Sequence, residues 1–177
     1  MQYRRTFVPG GTYFFTVVAA RRRRLFDNED TIQLVRQAFH HVNTNRPFTV
    51  NAMVILPNHL HCIWTLPSSD DDYPTRWRLI KTWVTKHYPS RRHHDTNSSK
   101  QRELTLWQAR YWEHLIRNGE DYRQHVEYIH YNPVKYGQVR HPWDWPHSSF
   151  RQYVREGLYP REWGATEPTL NAEIGHE

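Results

Sequence analysis

The sequence predicts an α+β domain, and three observations carry that prediction. Several short runs are rich in β-branched and aromatic residues, as strands are. Between them lie stretches whose apolar residues recur at helical spacing. The order of the two kinds reads strand, helix, strand, strand, helix, strand, helix. Its first six members follow a ferredoxin-like split βαβ pattern, an antiparallel sheet with helices on one face. The seventh is an extra C-terminal helix. No internal repeat is visible, and residues 1–150 read as one domain followed by a tail over 151–177.

Gly10-Gly11 opens the first strand, Thr12 to Ala20, which four arginines, Arg21 to Arg24, close. In the first helix Ile32, Val35, Phe39 and Val42 form the apolar stripe, carboxylates between Asp27 and Asp30 suit its N-terminal dipole, and Asn45-Arg46-Pro47 stops it. Phe48 to Leu56 and His59 to Leu66 read as strands joined by the turn Pro57-Asn58, hence an antiparallel hairpin. A second helix fits Tyr73 to Tyr88, with Asp72 as cap, Pro74 in its first turn and Trp77, Ile80 and Val84 facing inward. Residues 89–103 are polar and turn-rich and read as a mobile loop. A fourth strand is expected within Trp107 to Ile116. The third helix starts near Gly119, with Glu120 and Asp121 in its first turn and Tyr122, Val126 and Ile129 as its stripe. Because a residue before proline is pushed out of the α region, Asn132 is expected at the end of that helix, before Pro133.

The chemistry-bearing motif is His59-Leu60-His61 in the third strand. Side chains alternate faces along a strand, so the two imidazoles share one face, roughly 6.6 Å apart by twice the rise per residue. Two imidazoles at that spacing can converge on one metal ion, although any half-buried strand in a chain with 13 histidines could place two at its surface. Leu60, Cys62, Trp64 and Leu66 form the opposite, apolar face, which makes Cys62 a small buried hydrophobe. On the third helix Tyr128 and Asn132 are four apart and share a face. Of the neighbouring tyrosines, Tyr122 belongs to the core. Asp70-Asp71-Asp72 reads as an exposed acidic run that starts a helix rather than as a metal site.

Composition narrows the class of function. A net charge of +6 and a pI near 9.6 favour a polyanionic partner, with nucleic acid foremost. Cys62 is the only cysteine, so no intramolecular disulfide can form and a reducing, cytoplasmic setting is expected. No apolar run is long enough for a membrane span, and no Gly-rich phosphate loop is present. Basic side chains cluster at Arg4-Arg5, Arg21 to Arg24, Arg76 with Arg78 and Lys81, Arg91-Arg92 and Arg117. With exposed aromatics they could line a groove that pairs phosphates and stacks unpaired bases. The expected DNA contacts are Arg4, Arg5, Arg21, Arg22, Arg76, Lys81 and Arg117.

His59-Leu60-His61 together with Tyr128-Ile129-His130-Tyr131-Asn132-Pro133-Val134-Lys135 resembles the HUH superfamily of single-tyrosine transposases. Within it the chain is most similar to REP-associated tyrosine transposases. Gly10-Gly11-Thr12-Tyr13-Phe14-Phe15-Thr16, Leu56-Pro57-Asn58 ahead of the histidines, and Tyr111-Trp112-Glu113-His114 extend the likeness in the same order. The resemblance implies a Tyr128 nucleophile and a divalent metal, Mg²⁺ or Mn²⁺, held by His59, His61 and Asn132. Two imidazoles and an amide oxygen suit those ions better than a closed zinc site. It also implies cleavage of single-stranded DNA at REP-type hairpins through a 5′-phosphotyrosine, in a bacterial cytoplasm at the nucleoid, by a monomer or a homodimer. Two alternatives stay open: a phosphohydrolase that activates water, and a DNA-hairpin-binding protein without catalysis.

Overall fold

The computed structural model of the protein describes residues 5–89, 106–170 and 174. Arg4, Arg91 and Arg92 lie outside these, as does nearly all of the loop expected over 89–103. Among the described residues, four strands and four α-helices follow in the order β1 (Thr12–Val18), α1 (Glu29–Asn45), β2 (Thr49–Leu56), β3 (His59–Thr65), α2 (Tyr73–His87), β4 (Trp112–Leu115), α3 (Gly119–Lys135) and α4 (Phe150–Arg155). The strands form one antiparallel sheet in the order β2-β3-β1-β4. That is the split βαβ topology, with β3 inserted between β1 and β2.

Local chemistry sets these elements. Gly10 takes a φ of +69° to turn the chain into β1, and a side chain at Gly11 would stand 2.7 Å from the Tyr13 ring. Asn28 caps α1 by accepting from the Thr31 N–H at 2.8 Å, with Glu29 and Asp30 in the first turn. Asp72 caps α2 in the same way through the Thr75 N–H.

The sheet separates two apolar layers. Tyr13, Phe15 and Val17 of β1 and Leu60, Cys62 and Trp64 of β3 face α1 and α2, where Phe39, Trp77 and Val84 meet them. Trp64 stacks on Trp77 with ring centres 4.4 Å apart. Phe14 and Ile63, with Val54 and Leu56 of β2, face the other way and are covered by Val126, Tyr128 and Ile129 of α3. The two helices of the split motif thus share one face, and the additional helix α3 covers the other together with the chain that follows it.

The strand expected within Trp107 to Ile116 is present and pairs over Trp112–Leu115, while Trp107 forms an isolated bridge to Ala19. Helix α3 does not end before Pro133 but runs through it to Lys135. The boundary drawn at 150 falls inside α4. The chain beyond α3 is built into the domain. Ser149 donates its N–H to the Met53 carbonyl and His147 accepts from Ile55 N–H, covering the exposed edge of β2. Phe150 and Tyr159 pack their rings against His130, Trp163 packs against both of them, and Ile174 is buried in the layer that holds Tyr128.

Candidate active site

The site forms where β3 meets α3. The period-two alternation of β3 places His59 and His61 on the α3 side of the sheet, where they are 1% and 0% exposed. Their ring centres lie 4.8 Å apart. A second contact fixes each ring: His61 Nδ1 is 2.8 Å from Thr16 Oγ1 on β1, and His59 Nδ1 is 2.6 Å from Asn58 Oδ1. The amide oxygen of Asn58 only accepts, so His59 Nδ1 is the donor of this bond, which turns Nε2 away from it. Such outer contacts orient imidazoles that bind metals.

Tyr128, itself 1% exposed, meets His61 edge-on at 5.2 Å and Phe14 at 6.0 Å. Asn132 follows one turn later on the same side of α3. Its Nδ2 donates to the Tyr128 carbonyl at 2.8 Å, while its buried Oδ1 has no hydrogen-bond partner among the described residues. Burying a carbonyl oxygen without a partner costs about 1–3 kcal/mol, and a cation would remove that cost. The helix holds Asn132 here because it continues through Pro133, against the reading from the sequence. Pro133 lacks only one N–H, and Tyr136 N–H still bonds the Asn132 carbonyl at 3.0 Å. His59, His61 and Asn132 therefore offer two imidazole nitrogens and an open amide oxygen, a donor set that fits a hard divalent ion.

The expected DNA contacts are placed unevenly. Arg21 and Arg22 stand exposed on the turn that follows β1, both with positive φ (54° and 51°). Non-glycine residues in that region cost about 1–3 kcal/mol each, and Val18, just before the turn, pairs with His59. Arg5 reaches Glu113 at 3.3 Å and covers the Tyr111 ring at 4.8 Å. Lys81 donates to the Gln108 carbonyl and lies between the Trp107 and Tyr111 rings, where burial pulls its pKa down to about 8. Arg117 is exposed and pairs with Asp121.

Arg76 corrects the expectation made for it. Its guanidinium is 1% exposed and all five N–H groups are used, on both oxygens of Asp70 and on the carbonyls of Arg46, Pro47 and Asp72. A cation enclosed in this way, on the far side of the sheet from Tyr128, has no donor left for a phosphate. Its partners also show why the Asp70 to Asp72 run is structural: Asp70 neutralises Arg76, and Asp72 caps α2.

Two features went unread in the sequence. His114 of β4 and Asp121 and His125 of α3 bring three potential ligand atoms within 4.8 Å of one another. The Asp121 oxygens, however, already accept from His114 Nε2, from the Arg117 N–H and from Arg117 Nε. Burial pushes this carboxyl up, but these donors outweigh it and hold it well below the usual carboxylate range. With a guanidinium already serving the carboxylate, the cluster reads as a clamp that fastens β4 to the start of α3. The Asn118-x-x-Asp121 cap spacing was its only local signal. The second feature is Lys135, whose Nζ donates to the Tyr128 Oη at 3.4 Å. Two helical turns separate them, a spacing visible in the sequence but not specific.

No protein-family model matches the chain. It is 47% identical over 172 residues to the REP-associated tyrosine transposase of Escherichia coli (strain K12), spanning 97% of this chain and 95% of the relative. It also superposes on a solved REP-associated tyrosine transposase bound to a REP hairpin, with a TM-score of 0.79, 43% identity and 99% of each chain covered. The helix-borne tyrosine beside a strand-borne histidine pair thus occurs in a chain that is alike over its whole length, and the protein belongs to the REP-associated tyrosine transposase family.

Proposed function

We propose that this protein cleaves and rejoins single-stranded DNA at REP-type hairpins, with Tyr128 as nucleophile and a divalent ion, Mg²⁺ or Mn²⁺, as cofactor. The observation that carries this reading is the contact of Tyr128 with His61, which His59 adjoins, with the open Oδ1 of Asn132 on the next turn of the same helix. The hairpin bound by the solved relative supports the substrate class.

In cleavage the Tyr128 oxygen bonds to phosphorus and the bond from phosphorus to the 3′ oxygen breaks. The products are a 5′-phosphotyrosine and a free 3′-hydroxyl, and the phenolic proton ends on the 3′ oxygen. In rejoining, a 3′-hydroxyl attacks the adduct and Tyr128 leaves. One phosphodiester replaces another, so no nucleotide cofactor is needed. A phenol with a pKa near ~10 is a poor nucleophile at neutral pH, and a bound ion would supply charge neutralisation at the phosphate. His59, His61 and Asn132 would hold that ion. Thr16 and Asn58 keep the two imidazoles oriented, and Phe14 packs against Tyr128 and fixes its ring. Arg5, Arg21, Arg22, Lys81 and Arg117 would steady the DNA backbone. If about five phosphates are neutralised, the log–log salt slope of single-strand binding is near −3.5.

The test is incubation with Mn²⁺ and a 3′-labelled single-stranded oligonucleotide carrying a REP hairpin and its flanks, followed by a denaturing gel. Wild type is expected to give a protein–DNA adduct that Tyr128→Phe does not. Cleavage without adduct in both would replace this reading with a hydrolase, and binding without cleavage would leave a recognition module.

A further inference from the structure

Lys135 stands in the last turn of α3, seven residues past Tyr128, and two turns of a 3.6-residue helix return it to the tyrosine's side. Its Nζ donates to the Tyr128 Oη at 3.4 Å and lies 4.6 Å from the centre of that ring. The Tyr136 ring lies 5.6 Å from the same Nζ and itself meets His59 at 5.1 Å. A lysine at a helix C-terminus ordinarily serves the last carbonyls. Here backbone N–H groups take that role: Tyr136 bonds to Asn132, Gly137 to Val134 and Gln138 to Pro133. The ammonium is left to the phenol.

We infer that Lys135 is a catalytic residue of strand transfer, holding the Tyr128 oxygen in place and countering the negative charge that develops on it. The inference rests on Tyr128 being the nucleophile. The phenol oxygen has two lone pairs, and the bond from Lys135 engages only one of them. As the bond from Oη to phosphorus forms and the bond to the 3′ oxygen breaks, the phenolic proton passes to the 3′ oxygen and Lys135 keeps all three of its own. In rejoining, the same ammonium steadies Tyr128 as it leaves. Cation and oxygen are in contact before DNA arrives, so the arrangement needs no rearrangement at the moment of reaction.

Single-turnover adduct formation with the 3′-labelled REP-hairpin oligonucleotide and Mn²⁺ tests this, with Lys135→Met, Lys135→Arg and wild type compared at saturating DNA. Hairpin affinity is measured by anisotropy and folding by thermal melts. Lys135→Met is expected to slow the adduct about 10- to 100-fold, with affinity changed by no more than about fivefold and an unchanged melt. Lys135→Arg is expected to restore most of the rate. A Lys135→Met rate equal to wild type, a loss confined to affinity, or an arginine variant as slow as methionine would each overturn the inference. Wild type without adduct would instead overturn the Tyr128 reading on which it stands.

Discussion

Replacing Arg76 by lysine separates two roles that the sequence does not distinguish, because it keeps the charge and removes the fork. If Arg76 touched phosphate, lysine would serve nearly as well, as a point charge. In the structure Arg76 instead makes five hydrogen bonds, to Asp70 Oδ1 and Oδ2 and to the carbonyls of Arg46, Pro47 and Asp72. An ammonium has three protons to offer, so at least two acceptors lose their donor. At about 1.5–3 kcal/mol for each bond to a charged group, the loss is about 3–6 kcal/mol. Asp70 is 30% exposed and recovers part of this from water, which leaves about 3 kcal/mol. In a domain of this size that lowers the melting temperature by roughly 6–12 °C. Urea unfolding at pH 7 measures the change directly, and hairpin affinity as a function of salt should keep its slope. A variant as stable as wild type, with its hairpin affinity also kept, would refute the structural assignment and return Arg76 to the DNA.

Thr16→Val removes the hydroxyl beside His61 Nδ1 while keeping the shape of β1; adduct formation should fall about tenfold or more, read in the gel assay, with little change in melting temperature. Lys81 has a folded-state pKa pulled down to about 8 by burial. The unfolded chain therefore binds more protons between pH 8 and the ordinary lysine range, and stability should rise with pH across that window in wild type but not in Lys81→Met. The Cys62 thiol is fully buried and its pKa is pushed well up by that burial. A thiol-reactive dye should therefore leave the native protein unlabelled and react only in denaturant. Asp70 is held below the usual carboxylate range, first by its hydrogen bond to Arg76. Its contribution to stability is present above the unfolded-state pKa and is lost as pH falls through the lower folded value, so Asp70→Asn should flatten the acid limb of a pH–stability curve.

How much was legible followed from how local each signal was. The alternation of His59, Leu60, His61 and Cys62 is a property of the strand alone, so both the site face and the core face of β3 could be read directly. Asp72 as a cap and the stripe of Trp77, Ile80 and Val84 were equally local. Arg76 was misread because its partners at Arg46 and Pro47 lie 30 and 29 residues away and arrive only when α1 and α2 pack. Asn132 was displaced by a local rule about the residue before proline, which packing of α3 on the sheet overrides. The clamp of His114, Asp121 and His125 joins a strand to a helix, and no single window of sequence contains its geometry. The apolar residues after Pro133 follow no regular spacing, because their aromatic side chains pack as a cluster and not along one regular face.

The interleaving of β3 has a consequence for how this chain can vary. The residues that would bind metal and those that anchor the fold occupy alternate positions of one central strand, paired on both sides. A single-residue deletion or insertion just ahead of His59 that kept the ladder in register would exchange every side chain between faces. It would drive both imidazoles in among Phe39, Trp77 and Val84 and turn Leu60 and Trp64 toward Tyr128. Length changes here are therefore lost together with the fold and do not persist as inactive but folded descendants. Catalytic decay without unfolding has to come by substitution, and His59, His61 and Tyr128 are the places to look for it in related chains.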